Sequence, residues 1–358
     1  MTRQARNMIK YVIKRILLMF PILLAVLIFT WILSHMMAIN PALNKIPGTA
    51  IGDRARYERV LRRSGYYDPW YIQLGIYLKN FFQGDWGESF IVDEGTPVIT
   101  LIAEIFPKTI ELMLFSIIIV PIIAIKLGVT SAKYKDKPRD TLIRGLAILG
   151  AGYPIFYLAI LLQFFIGLTL RDFTHGGVFL EVVNPNDSFF SIYSPAPPGG
   201  PGTGFRLIDS ILYNDQIYLW DTLVHLILPV FCMIFVSLSG VTRQTRSSML
   251  GVLDQDYIRT ARAKGVMEKD VINKHALRNA ILPTSHLVIS GTAAALLGSL
   301  FVEVTFNYIG FGYTMFDAIW RGDFMVINGL LVFSTLIIIS GTLIADVAYT
   351  IIDPRILY

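Results

Sequence analysis

Six runs of about 20 residues, each with few charges, constrain this chain more than any other feature. A helix rises about 1.5 Å per residue, so about 20 residues cover the roughly 30 Å of hydrocarbon in a bilayer. The runs lie at residues 13–37, 110–131, 142–168, 223–242, 287–306 and 326–351. With 54% of residues hydrophobic and 16% charged, apolar residues gathered in this way place the chain among membrane proteins. The first run is longer than a signal-peptide core, and no small-x-small cleavage site follows at Ser34-His-Met-Met-Ala38, so it reads as a retained anchor.

Lysines and arginines in the short loops set the orientation. Arg3, Arg6, Lys10, Lys14 and Arg15 sit at the start of the first run, and Lys133, Lys135, Lys137, Arg139 and Arg144 lie between the second and third. Eight more, from Arg243 to Arg278, follow the fourth. With six spans all three groups fall on one side, which puts both termini in the cytoplasm, residues 1–12 being the N-terminal piece. Segments 38–107 and 171–221 then lie outside; the first balances its basic residues with acids and the second is net acidic. The net charge of +5 is therefore topological and gives no reason to expect a nucleic-acid partner.

The loop 243–283 is too polar to cross a bilayer, yet it carries Asp256-Tyr-Ile-Arg-Thr-Ala-Arg-Ala-Lys-Gly265-Val-Met-Glu-Lys-Asp-Val-Ile-Asn-Lys-His275-Ala-Leu-Arg-Asn-Ala-Ile-Leu-Pro283. Ile258, Ala261 and Ala263 lie around one short helix, and Val271, Ile272, His275 and Ala276 recur at the spacing of one helical face. Gly265 suits the left-handed residue that ends a helix, and Pro283 suits the start of the next. A loop that only carries topogenic charge needs no such order. The pattern predicts a helix–glycine–helix hairpin whose apolar stripe is covered by a partner protein.

Outside the spans, 38–107 contains helical stretches at 54–63 and 69–82 followed by Gly84-Asp-Trp-Gly-Glu-Ser89. Segment 171–221 contains Pro195-Ala-Pro-Pro-Gly-Gly-Pro-Gly-Thr-Gly204, which holds neither helix nor strand, and a short glycosylation match at Asn186-Asp-Ser188. In the fifth run Ser290, Ala294 and Gly298 recur every fourth residue, widened by Gly291 and Ala295, a face on which two helix backbones can approach closely. Cys232, the only cysteine, excludes an internal disulfide and reads as a packing residue.

Catalytic chemistry has no constellation here: no Gly-x-x-x-x-Gly-Lys-Ser/Thr phosphate loop, and five scattered histidines without metal-ligand spacing. The ionisable residues of the runs stand near their ends: Lys126, placed to reach water at an inner end, Glu111 and Glu303 at outer ends, and Asp346 at an inner end. A carrier driven by its own ion gradient usually places carboxylates near mid-membrane beside broken helices, so that class is disfavoured.

Tyr257-Ile-Arg-Thr-Ala-Arg-Ala-Lys-Gly265 followed by His275-Ala-Leu-Arg-Asn-Ala-Ile-Leu-Pro283 resembles the coupling loop of ABC importer permeases of the dipeptide/oligopeptide/nickel group. Further matches are Gly84-Asp-Trp-Gly-Glu-Ser89, Pro107-Lys-Thr-Ile-Glu-Leu112, Gly298-Ser-Leu-Phe-Val-Glu303, Phe306-Asn-Tyr-Ile-Gly-Phe-Gly312 and Asp346-Val-Ala-Tyr-Thr-Ile-Ile-Asp-Pro-Arg355. The long segment after the first span resembles that of the B-type subunit. The resemblance implies an all-α membrane protein with the six transmembrane helices of the ABC importer type I permease fold, its core at 108–358, and two extracellular insertions. It also implies a cell-membrane location, no catalytic, cofactor or metal site on this chain, and ATP with Mg on partner subunits. The partners it implies are a second homologous permease of C-type, two cytoplasmic ATPases, an extracellular substrate-binding protein and the bilayer. Asp256, Tyr257, Arg259, Ala261, Arg262, Lys264, Gly265, Val271, His275, Leu277, Arg278 and Pro283 would form the ATPase-coupling loop.

Two features depart from the pattern. Arg259-Thr260-Ala261 stands where the wider importer pattern has Glu-Ala-Ala, and segment 171–221 is longer than the family usually carries, which makes it a candidate contact for the binding protein. Peptides are the default substrate, with nickel and oligosaccharide as alternatives in the same class. A membrane scaffold whose hairpin recruits a soluble protein is the runner-up outside transport.

Overall fold

The computed structural model describes residues 3–36, 67–167 and 202–352. The expected helix at 54–63, the Asn186-Asp-Ser188 match and most of the Pro-Gly-rich stretch lie outside the described residues. Among those described, the regular structure is helical apart from one isolated antiparallel bridge between Glu88 and Pro97. The helices are α1 (Arg3–Met36), α2 (Trp70–Phe82), α3 (Val98–Lys133), α4 (Pro138–Gly152), α5 (Ile155–Leu162), α6 (Arg206–Leu212), α7 (Gln216–Leu253), α8 (Asp256–Ala263), α9 (Leu277–Thr305), α10 (Phe311–Arg321) and α11 (Phe324–Ile352). A three-residue turn Glu268–Asp270 and a π-helical turn Val271–Ala276 join α8 to α9.

Four segments of these helices are long and apolar enough to cross a membrane: Val12–Leu33, Val98–Lys133, Tyr218–Leu253 and Phe324–Val347. They contain all or most of four of the expected runs. A fifth forms only if α4 and Ile155–Ile166 count as one span, because the two are bent by 102°. The unbroken helix expected over 142–168 is corrected here. Pro154 has no N–H to continue the ladder and pushes the preceding residue out of helical geometry, and Tyr153 is extended at φ −92°, ψ 126°. The run 287–306 falls in the 29-residue α9, which is outside that set of four segments.

The chain divides into two compact units, residues 1–106 with 314–340 and residues 107–313 with 341–358. In the first, Leu27, Phe81 and Val332 form a buried cluster joined by Tyr77, Leu78, Trp86 and Leu336. Trp86, from the Gly-Asp-Trp-Gly-Glu-Ser motif, stacks on Phe81 at 4.9 Å. The motif continues into a loop held by one buried carboxyl. Asp323 Oδ2 accepts from Ser89 Oγ at 2.7 Å and from the amides of Phe90, Ile91 and Val92 at 2.9, 3.0 and 3.2 Å.

In the second unit α7 is the central helix, packed by α4, α5, α6 and α9. Two buried glutamates fix its turns. Glu303 accepts from Thr109 Oγ1 at 2.8 Å and from the amides of Gly312 and Tyr313 at 2.8 and 3.0 Å, capping α10. Glu111 accepts from the amides of Arg206 and Leu207 at the start of α6. Gly312 is required because a Cβ there would collide with the Leu300 backbone, which explains the glycine in the 306–312 motif. Cys232 is fully buried, as a packing residue would be.

Replacing Asp323 with alanine strands three amides and a serine hydroxyl, and is expected to lower stability by about 3 kcal/mol. Thermal unfolding in detergent would read the loss, and limited proteolysis would show cleavage appearing within 89–97. Asp323→Asn keeps an acceptor oxygen and should lose less.

Candidate functional site: a polar hairpin on an apolar seat

Gln255, extended at ψ 150°, opens α8, and Asp256 supplies an acid in its first turn, where the helix dipole favours it. The helix closes at Gly265, whose φ of +76° is the left-handed conformation. The Val266 amide donates to the Ala261 carbonyl at 3.2 Å and the Gly265 amide to the Arg262 carbonyl at 2.9 Å, the paired bonds of a Schellman ending. Across the turn Arg262 of α8 clips the returning segment, its Nε and Nη2 donating to the two oxygens of Glu268 at 3.1 and 2.9 Å. At the base Asn279 Nδ2 donates to Tyr257 Oη at 2.9 Å.

The apolar stripe exists, but this chain covers it. Ile258, Val271, Ile272, Ala276 and Ala280 are buried together with Ala132 from α3 and Met249 from α7, and Val129, Leu250, Leu253, Ala261, Val266 and Leu277 pack around them. The expectation that a partner protein covers the stripe is therefore corrected: the apolar periodicity marked a buried face correctly, and the burying surface is the ends of two spans. His275 leaves the stripe on which its spacing put it and stands on the hairpin surface, where a polar residue of this loop is expected. The π-helical turn over Val271–Ala276 places residues five apart on one face, so Val271 and Ala276 are buried while His275 is exposed. Ala263 is exposed as well. Pro283 stands inside α9 rather than at its start, because that helix begins directly from the π turn at Leu277.

What faces outward is polar and rimmed by large side chains. Arg259, Lys264 and Arg278 are exposed, Tyr257 is 43% exposed and Met267 is 70% exposed. Asp256 pairs with Arg259 at 3.3 Å, both on the surface. Glu268 and Met267 were not singled out by sequence: Glu268 follows Arg262 by six residues, a spacing that no single helix brings together, and only the glycine turn makes them neighbours. Of the small-residue face in α9, Ser290 is half-buried with its hydroxyl bonded to the Leu287 carbonyl, and the surroundings of Ala294 and Gly298 lie outside what is described. Nearby, Ser116, Val120, Gly240, Val241, Gly291 and Thr292 line a cavity of about 250 Å³ between α3, α7 and α9.

Hydrogen bonds from Arg262 are the main cause that holds the Glu268 carboxyl below its usual range. A depressed carboxyl contributes above its ordinary range and loses that contribution as pH falls through the lowered value. Both side chains are about half exposed, so the clip is worth at most about 1 kcal/mol. A double-mutant cycle of Glu268→Gln and Arg262→Met, read by thermal unfolding, should give a coupling of that size at neutral pH and none once the carboxyl is protonated.

The sequence profile of the family described as binding-protein-dependent transport system inner membrane component matches residues 124–358. The chain is similar, at 37% identity over 98% of its length and all of the relative's, to the oligopeptide transport system permease protein AppB of Bacillus subtilis (strain 168). It is 34% identical, over 98% of its length and all of the relative's, to the dipeptide transport system permease protein DppB of Alkalihalophilus pseudofirmus. It is 30% identical to the DppB of Escherichia coli (strain K12), over 98% of this chain and 99% of that one.

Proposed function

The chain belongs to the family of inner membrane components of binding-protein-dependent transport systems, and from that premise we propose that it is the B-type permease subunit of an ATP-driven importer of di- and oligopeptides. Its spans, six with α9 and the bent α4–α5 pair counted, form part of the path together with a second, C-type permease chain. Both termini and the hairpin face the cytoplasm, where two separate ATPase subunits supply the energy. A substrate-binding protein delivers peptide on the other side. The 250 Å³ cavity between α3, α7 and α9, walled by glycines and hydroxyls as well as valines, supports a role in lining the path.

One observation carries the coupling role. The hairpin's apolar face is already buried on α3 and α7, so its exposed face is a rigid, polar knob with Tyr257, Arg259, Lys264 and Met267 outermost. A loop that merely carried charge would have no need of a Schellman turn, an ion-pair clip and an apolar seat. A rigid knob fits a groove in a neighbouring protein with little ordering cost on binding. Closure of the ATPases on ATP then favours whichever arrangement of spans the knob fits better, since a ligand shifts an equilibrium only by its differential affinity for the two states.

Affinity purification from the native membrane tests this. The wild-type subunit should bring down a second multi-span permease and an ATPase. Proline at position 265 is locked near φ −65° and cannot adopt +76°, so Gly265→Pro should release the ATPase and keep the second permease. Recovery of the wild-type subunit alone, in a detergent that preserves other membrane complexes, would refute the importer reading.

A further inference from the structure

Behind the hairpin's seat lies a buried charge cluster that neither the family match nor the coupling loop assigns. Asp140, in the first turn of α4, is fully buried and takes a two-pronged ion pair from Arg246 of α7, Nε to Oδ1 and Nη2 to Oδ2, both at 2.9 Å. The same carboxyl accepts from Ser131 Oγ at the end of α3 and from the Asp136 amide of the connecting turn at 3.0 Å. One side chain thus joins α3, α4 and α7.

Its neighbours in sequence explain what the joint adjoins. Arg246 stands one turn before Met249, and Ser131 stands next to Ala132; Met249 and Ala132 are the residues of α7 and α3 on which the hairpin sits. The two helices are also in close contact here, because a Cβ on Gly128 would come within 2.5 Å of the Thr245 side chain. A guanidinium fork on a carboxylate fixes relative position as well as distance, whereas apolar faces can slide. Helix α4, gripped at its first turn, runs to the 102° break at Tyr153-Pro154.

We propose that Asp140 is the positioning residue that makes the ends of α3, α4 and α7 move as one body with the hairpin, so that displacement by an ATPase reaches the broken α4–α5 span instead of being absorbed at the membrane edge. This rests on the importer reading and adds to it the joint that carries the stroke. Asp140 touches neither substrate nor nucleotide in this assignment. Its loss should therefore uncouple the two activities rather than abolish either ATP binding or assembly.

The test is the complete importer in liposomes, with ATP hydrolysis and uptake of a labelled alanine tripeptide measured in the same vesicles. For Asp140→Asn the ratio of uptake to hydrolysis should fall about tenfold or more while hydrolysis stays within about twofold of wild type. If that variant fails to assemble, Arg246→Lys, which keeps the charge without the fork, is read by the same ratio. A ratio unchanged from wild type in the assembled variants, whether both activities persist or fall together, overturns the proposal. Failure of the importer reading would appear instead in the wild type, as hydrolysis or binding with no ATP-dependent uptake.

Discussion

A backbone amide that is shut away from water must find an acceptor, and in this protein a small set of buried carboxyls meets that demand at helix ends and turns. Glu111 takes the first amides of α6, Glu303 those of α10, and Asp323 three successive amides of the loop after Ser89. Asp209 accepts from the amides of Thr203 and Gly204, and Asp140 from that of Asp136. A carboxyl suits the task because its two oxygens offer about four acceptor sites on a short stem. All five are at least 97% buried, and each acts within its own unit.

That arrangement gives the acids near the span ends a different meaning from the one their position alone allows. Charge inside a membrane protein often marks an ion path. Here Glu111 accepts from two backbone amides and Glu303 from two amides and a hydroxyl, so both acids have a structural role at the turns they hold. The same reasoning explains the motifs 84–89 and 306–312. Ser89, the last residue of the first, and Gly312, the last of the second, each donate to a buried carboxyl, Asp323 and Glu303 respectively.

Hydropathy located the four helices that are long and apolar enough to cross a membrane, because twenty apolar residues have few other fates, and Gly265 was legible because a left-handed glycine commonly ends a helix in that way. The break at Tyr153-Pro154 was signalled by the proline but hidden inside an unbroken apolar run. The cover of the hairpin's stripe was illegible for a deeper reason. Periodicity states that a face is buried; whether Met249 and Ala132 or a foreign chain buries it depends on where α3 and α7 end in space. Spacing alone grouped His275 with Val271 and Ala276, since nothing in the composition announces a π turn that moves the register by about one residue, whereas its polarity already pointed to the surface. Long-range acceptors such as Asp323 for Ser89, 234 residues apart, leave no local pattern at all.

As a coupling element the hairpin would keep its shape under load only as far as its joints together resist. The Arg262–Glu268 clip is half exposed and holds about 1 kcal/mol at most, less than the several kcal/mol needed to drive a two-state equilibrium from one side to the other. Resistance must come from elsewhere. Within the knob it comes from the Schellman turn, whose amide-to-carbonyl bonds from Val266 to Ala261 and from Gly265 to Arg262 must break before the turn opens. Under the knob it comes from Ile258, Val271 and Ile272, which cannot leave Met249 and Ala132 without opening a void. Below these, the fork between Asp140 and Arg246 opposes shear between α4 and α7, because parting it would leave a carboxyl buried without its partner. The order of these joints, from a soft surface clip to a hard buried pair, means that a push on the exposed knob is spent least where the helices begin.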